Sequence, residues 1–159
     1  FFEHKKLYRL PRLRETLPED DYVVEIGKAR TMREGRDLSI ITFGAQVLTA
    51  LDAAEELEKE GLDVEVIDLR TLAPLDKQAV LNTVKKTSKV MVLHEASRTG
   101  GIGGEIAATI AEEAFEWLDA PVVRVASIDT PVPYSPPLEE YYLPQVKDVL
   151  YAARKLAGY

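Results

Sequence analysis

The sequence predicts an α/β fold: a mainly parallel sheet with helices on both faces. Two observations carry the α/β part of that prediction. Short β-branched runs alternate along the chain with helix-spaced segments, which is the grammar of βαβ units. Glycine, proline or a capping acid punctuates the joins, at Gly44, Gly61, Asp76 and Gly100.

The elements follow in order. Leu38–Phe43 (LSIITF) is a buried strand that stops at Gly44. Gln46–Glu60 spaces Val47, Leu51, Ala54 and Leu57 as one face of a helix, which Gly61 ends. Asp63–Asp68 (DVEVID) is the next strand. Leu75–Thr87 is the next helix, with Asp76 suited to its N-cap. Lys89–Leu93 is a strand, and the helix after the glycines is expected to run to Leu118. Pro121–Ser127 is another strand, the proline-rich DTPVPYSPPLEE a loop, and Pro144–Leu156 a closing helix with Pro144 in its first turn.

Upstream lies an arm with five Lys/Arg between Lys5 and Arg14, then Glu15, Glu19, Asp20 and Asp21. It is expected to carry one short strand, Tyr22–Ile26. Phe1–Glu3 reads as the end of a strand from a preceding domain, so the chain is expected to be part of a longer polypeptide.

Composition narrows the function. The 159 residues are 46% hydrophobic and 30% charged, as in a soluble globular domain able to bury its own core. A net charge of −7 disfavours nucleic acid as a partner of the whole chain. The absence of cysteine excludes disulfides, thiolate zinc sites and a cysteine nucleophile, and fits a reducing compartment. No apolar run has the roughly 20 residues of a membrane helix.

The stretch HEASRTGGIGGEI invites a phosphate-binding reading, with four glycines between Gly100 and Gly104. The spacing refuses it. From Gly101, Ile106 stands where a dinucleotide loop needs its third glycine; from Gly100, Ile102 blocks the second. The ATP-type loop also fails, because Glu105 stands where its glycine is required and no Lys-Ser or Lys-Thr pair follows. Glu105, Glu112, Glu113 and Glu116 make the following helix acidic, which repels phosphate. Glycines here serve close packing instead.

His94 and Glu95 follow the strand Lys89–Leu93 at the sheet's functional edge, where a general base can sit, but no nucleophile stands at a readable spacing. His94 is read as a structural or interface histidine. Ser97 and Ser135 lack a nucleophile turn. Two histidines far apart hold no metal. No self-sufficient active site is legible.

Taken together, FFEHKKLYR, MREGRDLSIITFGAQV, EVIDLRTLAPLD, VLHEASRTGGIGGEIAATIAEEAF, LDAPVVRV and DTPVPY stand in an order that resembles one family. It is the carboxy-terminal half of the β subunit of thiamine-diphosphate-dependent 2-oxo acid dehydrogenases, pyruvate or branched-chain type. The resemblance implies a transketolase C-terminal-type domain at residues 37–159, with a three-layer α/β architecture whose mostly parallel five-stranded sheet has helices on both faces and an antiparallel edge strand, and the end of a pyrimidine-binding domain plus linker arm at 1–36. It implies a parent oxidoreductase that decarboxylates a 2-oxo acid on thiamine diphosphate and acylates a lipoyl group.

The family's cofactor-binding motifs match no position here. Thiamine diphosphate and Mg2+ are therefore expected in the parent enzyme only, and the isolated chain is expected to be inactive. Expected partners are the dehydrogenase α subunit, a second β subunit and the subunit-binding domain of the acyltransferase core. His94, Glu95, Gly100, Gly101, Gly103 and Gly104 are expected at a subunit contact, and Glu139, Glu140 and Tyr159 at the acyltransferase dock. The implied location is cytoplasmic in a prokaryote or the mitochondrial matrix in a eukaryote. The alternatives are the matching domain of a transketolase or deoxyxylulose phosphate synthase, or a free-standing nucleotide-binding module.

Overall fold

The computed structural model describes residues 1–159. Ten regular elements follow the arm: β1 (Arg30–Arg33), β2 (Leu38–Thr42), α1 (Gln46–Lys59), β3 (Val64–Asp68), α2 (Lys77–Thr87), β4 (Val90–Ser97), α3 (Ile102–Glu113), β5 (Val123–Ser127), α4 (Pro136–Tyr142) and α5 (Val146–Ala157). The sheet has five strands in the order β1-β3-β2-β4-β5. β2, β3, β4 and β5 run parallel, while β1 pairs antiparallel with β3 and forms one edge. β2 is buried along its whole length, as a central parallel strand covered on both faces must be.

Two cores flank the sheet. Leu38, Ile40, Val64, Val66, Met91 and Leu93 face α1 and α5 in a cluster of 14 buried residues. Ile41, Val90 and Val92 face α2 and α3 in a cluster of 9. Asp76 caps α2 as its sequence position implied, accepting from the Ala79 N–H at 3.1 Å. No helix is long and apolar enough to cross a membrane.

Several expectations change. Tyr22–Ile26 is not a strand; the antiparallel edge strand is Arg30–Arg33, so the sheet draws a strand from upstream of residue 37. Tyr22–Ile26 has strand-forming side chains but no neighbour to pair with, and pairing is what makes a strand. Phe1–Glu3 is likewise not a strand here. The helix after the glycines stops at Glu113, and a separate 3-10 turn covers Phe115–Trp117.

The proline-rich stretch contains α4, whose prolines sit in the first turn where no N–H is needed. Pro144 precedes α5 instead of opening it. Gln145 is the N-cap, in a reciprocal capping box with Asp148.

Candidate functional site

The carboxyl ends of the parallel strands form the edge where α/β sheets usually place function. β4 reaches furthest across it. Its register with β5 slips between His94 and Ser97, and the Ser127 hydroxyl donates to the Glu95 carbonyl at 2.8 Å. Alternation along β4 puts His94 on the same face as Val90 and Val92, under α3.

There the imidazole is fully buried and stacked on Phe43, with centroids 6.3 Å apart and planes 16° apart. Neither ring nitrogen has a hydrogen-bond partner. Burial lowers the His94 pKa and nearby Arg124 adds to the effect. The Ala96 backbone opposes the shift without reaching hydrogen-bond geometry. Within this chain the ring is neutral and sealed from solvent on both nitrogens. It fills the space between Phe43 and the glycine turn.

The glycines explain what space it fills. Gly100 adopts φ +75 with nothing near its missing Cβ, so its need is conformational. Gly101 and Gly103 need room. A Cβ on Gly101 would meet His94 Cε1 at 2.7 Å and also strike the Ser97 carbonyl, and one on Gly103 would meet His94 Cδ2 at 2.6 Å. Gly104 merely lies near Arg124. The turn is therefore closed onto the chain's own histidine.

The loop is also clamped. The Thr99 N–H and hydroxyl donate to the Asp129 carboxylate at 2.8 and 2.7 Å, which holds that carboxyl below its ordinary pKa. The arm crosses the same edge, with His4 Nε2 facing the Glu95 carboxylate at 3.3 Å and Arg12 paired with Asp52 at 2.7 Å.

The expected subunit-contact residues thus separate. His94 and Gly103 are enclosed by their own chain; Glu95, Gly100, Gly101 and Gly104 keep exposed or part-exposed surface. Glu105 lies in the first turn of α3, and no group of three or more His, Cys, Asp and Glu side chains could hold a metal ion.

Sequence reasoning missed a second feature. A groove of about 620 Å³ runs beside β5, bounded by α4 and α5. Tyr159 lines it, together with Tyr141 and Tyr151. Glu139 and Glu140 are exposed on α4, with Glu139 in a separate shallow depression beside Tyr134. The tyrosines of the last quarter, Tyr134, Tyr141, Tyr142 and Tyr159, are the sequence signal of an interface, because large, partly exposed rings often anchor one, but they do not reveal the groove itself.

Comparison with known proteins places the fold. A family profile described as "Transketolase, C-terminal domain" matches residues 27–149. The Bacillus subtilis (strain 168) pyruvate dehydrogenase E1 component subunit beta is 49% identical over 156 residues, which is 98% of this chain and 47% of that protein. The 2-oxoisovalerate dehydrogenase subunit beta of the same organism is 46% identical over 160 residues, 100% of this chain and 48% of that protein. The chain thus spans about half the length of the curated relatives it matches.

Among solved structures, a split-gene transketolase described as an inactive beta4 tetramer superposes with TM-score 0.75 at 31% identity, over 87% of this chain and 44% of that one. A Pichia stipitis transketolase shares the fold at TM-score 0.59 and 16% identity, over 83% of this chain and 18% of that one. The chain belongs to the transketolase C-terminal domain family.

Proposed function

We propose that this chain is the carboxy-terminal half of the β subunit of a 2-oxo acid dehydrogenase, pyruvate or branched-chain type, and that it works by assembly and docking. The observation that carries the reading is the near-full-length similarity, at 49% and 46% identity, to the β subunits of both enzyme types. In the parent enzyme thiamine diphosphate supplies the carbanion chemistry. This half contributes the rigid sheet and the surfaces that orient other subunits. Residues 1–36 serve as the arm that leads out of a pyrimidine-binding domain. An α subunit carries the diphosphate site, and a second β subunit packs nearby.

The subunit-binding domain of the acyltransferase docks beside Tyr159, with Glu139 and Glu140 on the rim. Isothermal titration tests both halves of the proposal. Thiamine diphosphate with Mg2+ is expected to give no binding heat with the chain. A subunit-binding domain is expected to bind, and to bind at least about tenfold more weakly to a Glu139→Lys, Glu140→Lys chain, since oppositely charged rim groups become repulsive. Micromolar binding of the cofactor, or docking indifferent to those charges and to removal of Tyr159, contradicts the reading.

The 31% identity to a split-gene transketolase supports a second reading, the matching half of a two-gene transketolase. Coexpression separates them. A dehydrogenase α chain should co-purify with this chain extended by the remaining half of its β relatives under the first reading, and a transketolase diphosphate-domain chain under the second.

A further inference from the structure

His94 is a titratable group in an enclosure that suits only its neutral form. The imidazole is fully buried, and neither ring nitrogen has a hydrogen-bond partner. A neutral ring tolerates that enclosure, whereas an imidazolium brings a full charge and two N–H donors to satisfy. The charged groups on the elements around the ring do not accommodate one. On β5, Arg124 has the same sign and opposes it. Phe43 comes from the run Leu38–Leu51, which holds no charged residue. Beside His94 on β4, Glu95 faces His4 at 3.3 Å. The turn adds a further cation, Arg98, and the loop after β5 adds Asp129, which is taken up by Thr99. The first turn of α3 has only Glu105, which is exposed.

One wall of the enclosure can yield. β4 and Phe43 are fixed by the central strands, but pairing between β4 and β5 is interrupted between His94 and Ser97. Beyond that break, hydrogen bonds hold the turn to β5 and the loop after it. Arg98 N–H donates to the Ser127 carbonyl at 3.0 Å, Arg124 to the Arg98 carbonyl at 3.2 Å, and Thr99 to Asp129. Gly100, with φ +75 and open space at its missing Cβ, is a pivot. Gly101 and Gly103 rest directly on the ring, so an outward movement of the ring lifts them.

We propose that His94 is an acid-operated latch on the glycine turn: protonated, the imidazole leaves its enclosure and the segment Arg98–Gly103 lifts from the sheet; neutral, it closes the turn again. Burial and Arg124 hold the closed ring's pKa below its ordinary value, so the open form, with a hydrated ring, takes up the proton. Opening is therefore favoured as pH falls below about 6.5, where a solvated histidine titrates, by at most about tenfold per pH unit. The Asp129 carboxyl, held below its ordinary pKa, stays charged in that range, so the Thr99 clamp is not what releases. The inference concerns this chain's own turn and stands or falls separately from the functional reading above.

Native-state hydrogen exchange of the chain in low urea, corrected for intrinsic rates, tests it at pH 7.5 and 5.5. The Arg98, Thr99 and Gly104 amides should exchange by a local opening that does not respond to urea, unlike the amides of β2 and β3. Their protection should fall about tenfold between the two pH values. His94→Leu should abolish that fall. His4→Gln should leave it in place, because a charged His4 binds Glu95 more tightly and cannot drive the opening. The wild-type and His4→Gln chains decide the matter by themselves if His94→Leu does not fold. Turn amides that exchange only together with the core, protection that is the same at both pH values, a fall that persists in His94→Leu, or one that vanishes in His4→Gln would each overturn the proposal.

Discussion

Two polar side chains, Glu65 and His94, are buried on the same face of the sheet, at opposite ends of it, and they are treated in opposite ways. Glu65, near the amino ends of the strands, is 3% exposed and fully partnered. It accepts from the Ser39 and Thr83 hydroxyls at 2.8 and 2.9 Å and from Lys86 Nζ at 2.6 Å. Ser39 and Thr87 extend the network at 2.7 Å. His94, at the carboxyl ends, is equally hidden and has no partner at all.

Both are costly to bury, but the costs are met differently. Hydrogen bonds and an ion pair offset the desolvation of Glu65. At His94 the ring stays neutral, and packing against Phe43 and two bare glycine backbones compensates for the unmade bonds. One end of the sheet is held by polar satisfaction, the other by shape.

The contrast can be broken at either end. Glu65→Ala should have the largest effect, about 3 kcal/mol in urea unfolding, because it strands the buried Thr83 hydroxyl, leaves Ser39 with Thr87 alone and opens a void. Lys86, which is partly exposed and also pairs with Glu34, softens that loss. Glu65→Gln keeps an acceptor and should cost less, sharpening the polar side of the comparison.

At the other end, Gly103→Ala should cost about 2 kcal/mol, the range for overpacking a closed site. A change of this size at a glycine with ordinary φ would identify crowding as the cause.

The smallest effect is in pH. The folded His94 pKa lies below its unfolded value, so the unfolded chain takes up a proton that the native chain refuses. Stability from this group is complete above about pH 6.5 and is lost as pH falls below it, with a slope of at most about 1.4 kcal/mol per pH unit. His94→Leu should remove that slope and change stability little at neutral pH. Unfolding curves from neutral to mildly acid pH for the two chains would show the difference.

The same two ends show what was legible in sequence. The central elements were, because β2, β3 and β4 are apolar runs bounded by glycine or a capping acid, and local signals suffice for them. β1 was not. Two of its four residues, RTMR, are charged and three are exposed, and only pairing with β3 makes them a strand. Tyr22–Ile26 failed for the complementary reason, since its composition promises a strand that no neighbour completes. The Pro-Pro-x-Glu pattern at the start of α4 was readable as a helix start and was passed over because prolines cluster around it.

Glu65 could have been found, since an acid in the middle of DVEVID must either break the strand or be paired inside it. For the glycine turn, residue spacing excluded a phosphate loop and pointed to close packing. It could not say against what, because the contact between His94 and Gly101–Gly103 depends on how β4 slips against β5.

A double-mutant cycle on Gly103→Ala and His94→Ala, read by urea unfolding of the four chains, tests most directly the claim that this turn is closed by the chain's own imidazole. Removing the ring clears the space that the new methyl group would strike. The double variant should therefore be more stable than the sum of the two single losses predicts, by at least about 1 kcal/mol. Strict additivity would contradict the claim.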